Sequence, residues 1–469
     1  MSRLRQNRLA PRPSPPPVAE HPSPPFELTL QEVAPGGDAV GRRDDGLVVF
    51  VPGGTPGDRV LVRLHSQRRS FARGELLRVI SPGPGRVEAP CRWAVPQSGQ
   101  GAAACGGCPL MALSRPAQLE AKQAWVQRAL RQIPVTVRPI VAPAADHGYR
   151  LRARLVVRDG HLSFAAAGSH RGVDLSACLI LDPALEHVLL RRCRSLASQL
   201  GEGGVLLGLV GQQQGQPIVH LAVELGDGGS PAAVLRALTT LWQDGDIGGA
   251  IVNAGSSQEQ VIGQPHVDLS VPTETGPNDD DLGPLFGSAA GFAQACAAGH
   301  LLLPRLVAQA VREPFSDGTL PDLPQPQIVE LYAGSGNLTR ALVPLARQLV
   351  CVEGDARALA RAAARFGAGL QVVADSVETA LLRLKAAGAQ PTTVVLDPPR
   401  AGARDAMSLL ADLQPRRVVY VSCDVMTLAR DLALLSARGY RPRHVQPIDL
   451  MPHTAEVECV AVCDADPAA

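Results

Sequence analysis

The stretch Val418-Val-Tyr-Val-Ser-Cys-Asp-Val-Met-Thr-Leu-Ala-Arg-Asp431 runs β-forming residues into Ser422-Cys423 and then turns helix-like. That pattern puts Cys423 at the carboxyl end of a buried strand, where open α/β sheets bind their ligands. Two further strand ends point to the same crevice: Val394-Val-Leu-Asp-Pro-Pro-Arg400 and Ile328-Val-Glu-Leu-Tyr-Ala-Gly-Ser-Gly-Asn337. A cysteine alone reads as a small buried hydrophobe. A thiol, a carboxylate and a glycine loop converging on one crevice read as an active site.

Tyr332-Ala-Gly-Ser-Gly-Asn337 is a glycine loop between strand and helix, a feature shared by many nucleotide folds. The next strand, Val350-Cys-Val-Glu-Gly354, brings Glu353 to a position suited to a ribose diol. Leu370-Gln-Val-Val-Ala-Asp375 ends a third strand with a carboxylate suited to adenine contact. No Walker lysine accompanies the loop, which disfavours phosphate binding. A nucleoside ligand without a triphosphate suggests S-adenosylmethionine. NAD is the alternative, and the missing third glycine of the dinucleotide fingerprint counts against it.

With a methyl donor in the crevice, Cys423 gains a specific use. Carbon 5 of a pyrimidine is a poor nucleophile. A thiolate adding to carbon 6 makes carbon 5 enolate-like and able to attack a sulfonium methyl. A base must then remove the carbon 5 proton before elimination frees the enzyme, so the chemistry needs one thiolate and one base. A free cysteine has a pKa of ~8.5, so the site must favour the thiolate. The base candidates lie in His453-Thr-Ala-Glu-Val-Glu-Cys-Val-Ala-Val-Cys463. Strand alternation puts Glu456 and Glu458 on one face, and periodicity does not choose between them. His453 is a third candidate.

A second group of cysteines suggests a metal centre. In Cys105-Gly-Gly-Cys108 the two glycines let the backbone fold closely around an ion, with Cys91 upstream and Cys178, in Leu175-Ser-Ala-Cys-Leu-Ile180, as the best fourth ligand. Four thiolates fit zinc or a 4Fe–4S cluster, and spacing alone does not separate them.

The elements that must position these groups divide the chain. Residues 1–24 are rich in proline and arginine and read as a disordered tail. Short strands at Leu47–Val51, Val60–Leu64 and Arg73–Ile80, with the turn Pro52-Gly-Gly-Thr-Pro-Gly57, predict a small barrel of the oligonucleotide-binding type over residues 25–87. Arg59, Arg63, Arg68, Arg69, Arg73 and Arg78 decorate it and suit phosphate contact. Ser114-Arg-Pro starts a helix whose Leu119, Val126, Leu130 and Ile133 read as packing. Tyr149–Arg158 alternates arginine with apolar residues and predicts a strand whose basic face, Arg150, Arg152 and Arg154, could meet RNA. Residues 88–284 form a central α+β domain carrying the metal cysteines. Cys193 falls in a helical run and reads as buried, and Asn278-Asp-Asp-Asp281 reads as linker. Residues 285–469 form the last domain, in which strands and helices alternate from Ile328 onward and predict a Rossmann-like, doubly wound parallel sheet.

Composition sets outer bounds. The 469 residues are 45% apolar with a net charge of +1, which supports several cores and gives no global sign of a nucleic-acid partner. Lys122 and Lys385 are the only lysines. Ten cysteines in a chain this long do not make a disulfide scaffold. No apolar run reaches membrane-spanning length and no secretory signal is evident, so a reducing cytoplasm is expected.

Ala39-Val-Gly-Arg42, Val51-Pro-Gly-Gly54 and Pro56-Gly-Asp-Arg-Val60 resemble the TRAM domain, an RNA-binding barrel. From about residue 26 to the C-terminus the chain resembles the class I S-adenosylmethionine-dependent RNA uracil-5 methyltransferases. The likeness rests on Cys105-Gly-Gly-Cys108, Asp397-Pro-Pro-Arg-Ala-Gly402, Val421-Ser-Cys423 with Leu428-Ala-Arg-Asp431, and His453-Thr with Glu458. The resemblance implies Cys423 as nucleophile and Glu458 as base. It implies cofactor contacts at Gln294, Tyr332, Asn337, Glu353, Asp375 and Asp397, and a 4Fe–4S cluster on Cys91, Cys105, Cys108 and Cys178. The chain departs from the family pattern at Cys296, Ala333 and Asp424 and in the longer stretch between Cys91 and Cys105; none of these removes a catalytic group.

Barrel and cluster cysteines together resemble the branch that acts on 23S ribosomal RNA, with tRNA as the alternative substrate; no obligate protein partner is evident. Two rival readings are an RNA cytosine-5 methyltransferase, against which Arg400 stands where a second cysteine is usual, and a non-catalytic RNA-binding factor, against which the intact Cys423, Glu458, Glu353 and Asp397 argue.

Overall fold

The computed structural model describes residues 24–94, 105–143, 145–169, 171–253, 259–269, 282, 285–366 and 370–466. The N-terminal tail and the Asn278–Asp281 linker fall outside these residues, as does most of the stretch between Cys91 and Cys105.

Alternating buried and exposed residues build the first unit. Phe26–Val33, Ala39–Arg42, Val48–Val51, Arg59–Gln67 and Phe71–Ser81 close into a barrel in which the third strand pairs with the fifth and the fifth with the fourth. Leu28, Leu30, Val49, Val51, Val60 and Val62 fill it, and closure leaves no open sheet edge. Of the barrel arginines, Arg73 is paired with Asp38 at 2.9 Å and Arg59 lies 3.8 Å from Glu27.

The central unit is a nine-stranded sheet. Its spine is the hairpin Val205–Gln213 and Gln216–Glu224, in register from Val205↔Glu224 to Gln213↔Gln216. Gln214 and Gly215 both have positive φ, 52° and 75°, as a tight hairpin turn requires. Arg152–Arg158 pairs with the hairpin, so the strand begins later than the arginine alternation suggests. Arg154 is exposed, whereas Arg152 is half-buried and donates from Nη2 to Gly291 O at 2.7 Å, so the basic face is interrupted. Cys193 is buried in the core under this sheet.

The third unit positions the crevice. Its sheet runs Leu370–Val373, Leu349–Val352, Ile328–Leu331, Thr393–Leu396, Arg417–Ser422, Glu458–Ala465, Tyr440–Ile448 and Thr136–Val137. The first five strands are parallel and the order reverses between Ile328–Leu331 and Thr393–Leu396. The expectation of a wholly parallel sheet needs correction: Glu458–Ala465 is antiparallel to both its neighbours. The link 449–457 is too short for a parallel crossover, so the last two strands form a hairpin. Thr136–Val137 joins the far edge of this sheet from a distant part of the chain. The preceding helix, Arg115–Ala129, packs Val126 into the same core while Trp125 Nε1 donates to Val33 O of the barrel at 2.7 Å. Among the described residues no helix is long and apolar enough to cross a membrane.

Candidate active site

The carboxyl ends of the parallel strands bring the sequence-derived residues together at the reversal of strand order, where such sheets form their crevice. Tyr332 follows Ile328–Leu331, Asp397 follows Thr393–Leu396, and Cys423 follows Arg417–Ser422. The antiparallel register runs through Val421↔Val460 to Ser422↔Cys459, so Cys423 leaves its strand where Glu458 opens the neighbouring one. The two groups are near enough for the Glu458 charge to act on the Cys423 thiol. Neither Glu458 nor Asp397 makes a side-chain hydrogen bond or ion pair among the described residues. Glu456 lies nearer the surface and is paired with Arg400. His453 is buried elsewhere: its Nδ1 lies 3.0 Å from Gln118 Nε2 and its ring lies 5.3 Å from that of His147.

The electrostatics follow from that placement. Burial, then the charge of Glu458, pushes the Cys423 thiol up to about 11, and Arg400 acts in the opposite direction. Burial, then Asp397, raises Glu458 to about 8, again against Arg400. Burial alone raises Asp397 to about 7. Both carboxyls are thus held toward their protonated forms.

On the cofactor side, Glu353 Oε2 accepts the Gly334 N–H at 3.1 Å and Oε1 accepts the Asp355 N–H at 2.7 Å. The strand-end acid thereby pins the glycine loop, and each oxygen keeps a lone pair for a diol. Gly334 has φ +56° and faces open space, so the loop presents bare backbone to a ligand. Tyr332 adopts φ 62°, a strained value for a non-glycine residue of the kind that collects at functional sites. Asn337 donates to Gly299 O at 3.2 Å, tying the loop to the helix that follows Gln294. Gln294 packs its side chain against Gly299, within 3.3 Å of where a Cβ would stand. Asp375 sits at its strand end with its carboxylate paired to Arg383 at 2.7 Å.

Several supporting residues escape a sequence reading. Asp431 accepts from Ala403 N and from the Tyr420 hydroxyl, both at 2.8 Å, and thereby clamps the turn after Asp397-Pro-Pro-Arg400. Gly402 is required there, because a Cβ would lie 2.5 Å from Asp431 and Arg430. Asp424 caps the helix Val425–Ser436, accepting from Met426 N and Thr427 N at 2.9 Å, and so fixes the backbone after Cys423. Lys122 and Gln118 lie on the face of the helix that periodicity reads as packing. Lys122 donates to Asp449 at 2.6 Å, with Arg115 on the other oxygen, and Gln118 accepts the His453 N–H at 2.9 Å. They hold the segment leading into Glu458. The recurrence of polar residues on an otherwise buried helix face is the signal that could have found them.

The four other cysteines lie within electrostatic reach of one another. Burial, then Cys178, Cys105 and Cys91, raises the Cys108 thiol, while Arg150 lowers it. Cys105 and Cys178 are raised first by burial and then by neighbouring thiolates among other terms. No three of these thiols lie within 4.8 Å of one another; among the described residues Asp146, His147 and His453 are the group that does.

The TRAM domain family matches residues 26–77. Over nearly its whole length the chain is similar to RNA methyltransferases. It is 32% identical to the 23S rRNA (uracil(1939)-C(5))-methyltransferase RlmD of Acidithiobacillus ferrooxidans, covering 94% of this chain and 98% of that protein. It is 30% identical to the protein of the same name from Yersinia enterocolitica, covering 94% and 95%. An uncharacterised RNA methyltransferase of Gloeobacter violaceus is 32% identical, covering 93% and 96%. Among solved structures, the Pyrococcus abyssi tRNA (uracil-54, C5)-methyltransferase in complex with S-adenosyl-L-homocysteine shares the fold. It does so with a TM-score of 0.65 at 20% identity, covering 93% of this chain and 100% of that one.

Proposed function

The chain belongs to the RNA uracil-5 methyltransferase family, and from that premise we propose that it methylates carbon 5 of a uridine in 23S ribosomal RNA through a covalent adduct on Cys423. The observation that supports the mechanism is the meeting of Cys423 and Glu458 at one end of the antiparallel pair that closes with Ser422↔Cys459. S-adenosylmethionine, when bound, supplies an electrophilic methyl group. Cys423 Sγ attacks carbon 6 of the uracil and leaves carbon 5 nucleophilic. After methylation, Glu458 takes the carbon 5 proton, the carbon 5–carbon 6 double bond returns, and the carbon 6–sulfur bond breaks to free the thiolate. Arg400 is the cation placed to favour that thiolate, and Glu456 anchors Arg400 at the surface. That arrangement assigns the base to Glu458 rather than Glu456 or His453.

The glycine loop, with its open space beyond Gly334 and its tether to Glu353, fits a nucleoside. Glu353 would hold the ribose diol. Tyr332, Asn337 and Gln294 would line the methionine and adenine contacts, with Asp397 beside the transferred group. Asp375 would reach adenine by sharing its carboxylate with Arg383. Cys91, Cys105, Cys108 and Cys178 would hold a 4Fe–4S cluster. Their mutual influence fits a shared centre, and the family resemblance favours the cluster over zinc. Its role would be structural, since the methyl transfer has no redox step. Anaerobically purified protein should be brown with about four irons per chain; zinc-loaded, colourless protein from an iron-replete preparation overturns the assignment.

The substrate reading rests on the full-length likeness to proteins named for 23S rRNA, and places the enzyme in the cytoplasm. The barrel arginines would hold phosphates at a distance while the uridine is splayed out beside Cys423. Offering protein-free 23S RNA and unmodified tRNA in competition, with labelled cofactor and position mapping, tests it. Preferential labelling of tRNA removes the ribosomal assignment.

A further inference from the structure

The groups that meet in the crevice do not balance in charge. Asp397 and Glu458 carry the two carboxyls, and neither has a hydrogen-bond or ion-pair partner among the described residues. The titratable groups that face them are acids: Cys423 between them, Cys459 and Cys296 beside Glu458, and Glu330 on the strand next to Asp397. Arg400 is the one cation acting on Glu458 and Cys423, and it is already engaged by Glu456. A carboxylate cluster this short of cations keeps its protons: Asp397 is held at about 7 and Glu458 at about 8, burial being the larger cause in both.

S-adenosylmethionine and its product S-adenosylhomocysteine share every group except one, the permanent positive charge on sulfur. On the reading above, the methyl must reach carbon 5 while Cys423 is bound to the adjacent carbon 6, with reacting atoms about 3 Å apart. That places the charge among Cys423, Asp397 and Glu458. We propose that the Asp397–Glu458 pair couples cofactor exchange to a proton: Glu458 releases its proton as the sulfonium form binds, and the neutral thioether form binds without releasing one. The inference rests on the methyltransferase reading.

The cycle then balances. Glu458 gives its proton to solvent and its carboxylate becomes the counter-ion of the sulfonium. Cys423 gives its thiol proton to solvent as Sγ bonds to carbon 6. The methyl passes to carbon 5 while the sulfur keeps the bonding pair, so the positive charge disappears. Glu458 accepts the carbon 5 proton, and the carbon 6–sulfur bond breaks to a thiolate that takes a proton back from solvent. The pair is thereby restored to its protonated resting form beside a neutral product. The single proton produced per turnover leaves at cofactor entry. The same linkage readies the base, because Glu458 is ionised only once there is a methyl group to transfer.

An opposite charge within about 4–6 Å lowers a carboxyl pKa by about 1–3, enough to bring Glu458 to or below neutrality. Calorimetric titration of the full-length protein at pH 7.0, in buffers of different ionisation enthalpy, counts protons directly. S-adenosylmethionine should release about one proton per site and S-adenosylhomocysteine close to none. Between pH 6 and 7 the affinity for the first should rise by up to roughly tenfold relative to the second. Glu458→Gln should cut the release for the sulfonium ligand by more than half. Equal proton counts for the two ligands, in a preparation that methylates RNA, overturn this inference and leave the methyltransferase reading intact. A preparation that binds neither ligand and transfers no methyl group overturns both.

Discussion

Asp58 in the barrel and Asp397 in the crevice are treated oppositely by the same chain. Asp58 is fully buried and saturated: it accepts from Thr55 N at 2.7 Å, from Gly83 N at 2.8 Å and from Arg86 Nε at 2.9 Å. Asp397 and its companion Glu458 accept from nothing. The junction around Asp449 follows the barrel's rule, with Lys122 and Arg115 closing on one carboxylate. Charges that hold units together are paired within the chain, and charges in the crevice are left for a ligand to pair. Asp397 is half-buried and Glu458 buried, and neither carboxyl accepts a hydrogen bond among the described residues. Two such acids beside a thiol at neighbouring strand ends point to chemistry rather than stability.

The comparison can be broken most severely at the nucleophile. Cys423→Ala should lower methyl transfer by on the order of 10³-fold or more while leaving cofactor affinity near wild type. Substantial turnover by that variant, measured with labelled cofactor, would end the covalent mechanism. Glu458→Gln should still transfer the methyl group but slow release by about 10²–10⁴-fold, so that a methylated RNA–protein adduct accumulates on denaturing gels. If Glu456→Gln traps the adduct instead, the register argument for the base fails.

Smaller effects test the pairing rule itself. Asp58→Ala leaves two backbone N–H groups and the Arg86 guanidinium without their acceptor, and should cost about 3–5 kcal/mol in denaturant unfolding. Asp397→Asn removes a carboxyl that pairs with nothing, and should change stability by less than about 1 kcal/mol while weakening cofactor binding. A large stability loss in the second variant, matching the first, would erase the distinction between the two regions.

The smallest expected effect is a pH trend. Burial raises Glu330 and Asp397 to about 7 and Glu458 to about 8, all above their unfolded values near 4. Between about pH 5 and 8 the native state holds protons that the unfolded chain has lost, so these groups make stability fall as pH rises. Without cofactor, Tm should drop by roughly a few degrees across that window, and Glu458→Gln should flatten the slope. A Tm that rises steadily to pH 8 would contradict the protonated resting crevice.

Strand ends were legible in the amino-acid order, because alternation, glycine loops and proline turns are local signals. They sufficed to put Tyr332, Asp397 and Cys423 at the carboxyl ends of their strands and to predict three of the five barrel strands within a few residues, while Phe26–Val33 and Ala39–Arg42 went unassigned. What stayed hidden depended on pairing between distant segments. Alternation put Glu456 and Glu458 on one face, but Glu456 precedes the strand that Glu458 opens, and only the pairing of Glu458–Ala465 with Arg417–Ser422 brings Glu458 beside Cys423 and leaves Glu456 to Arg400. The antiparallel turn of that hairpin was missed for the same reason. Lys122 and Gln118 read as neutral positions on a packing helix until Asp449 and His453, more than three hundred residues away, arrive beside them. Thr136–Val137 joins a sheet whose other strands begin at Ile328. Local sequence determines which backbone shape each segment prefers and which residues stand at its end. Tertiary packing decides which of those ends meet, because burial, pairing and unpaired charge are properties of neighbours brought together from across the chain.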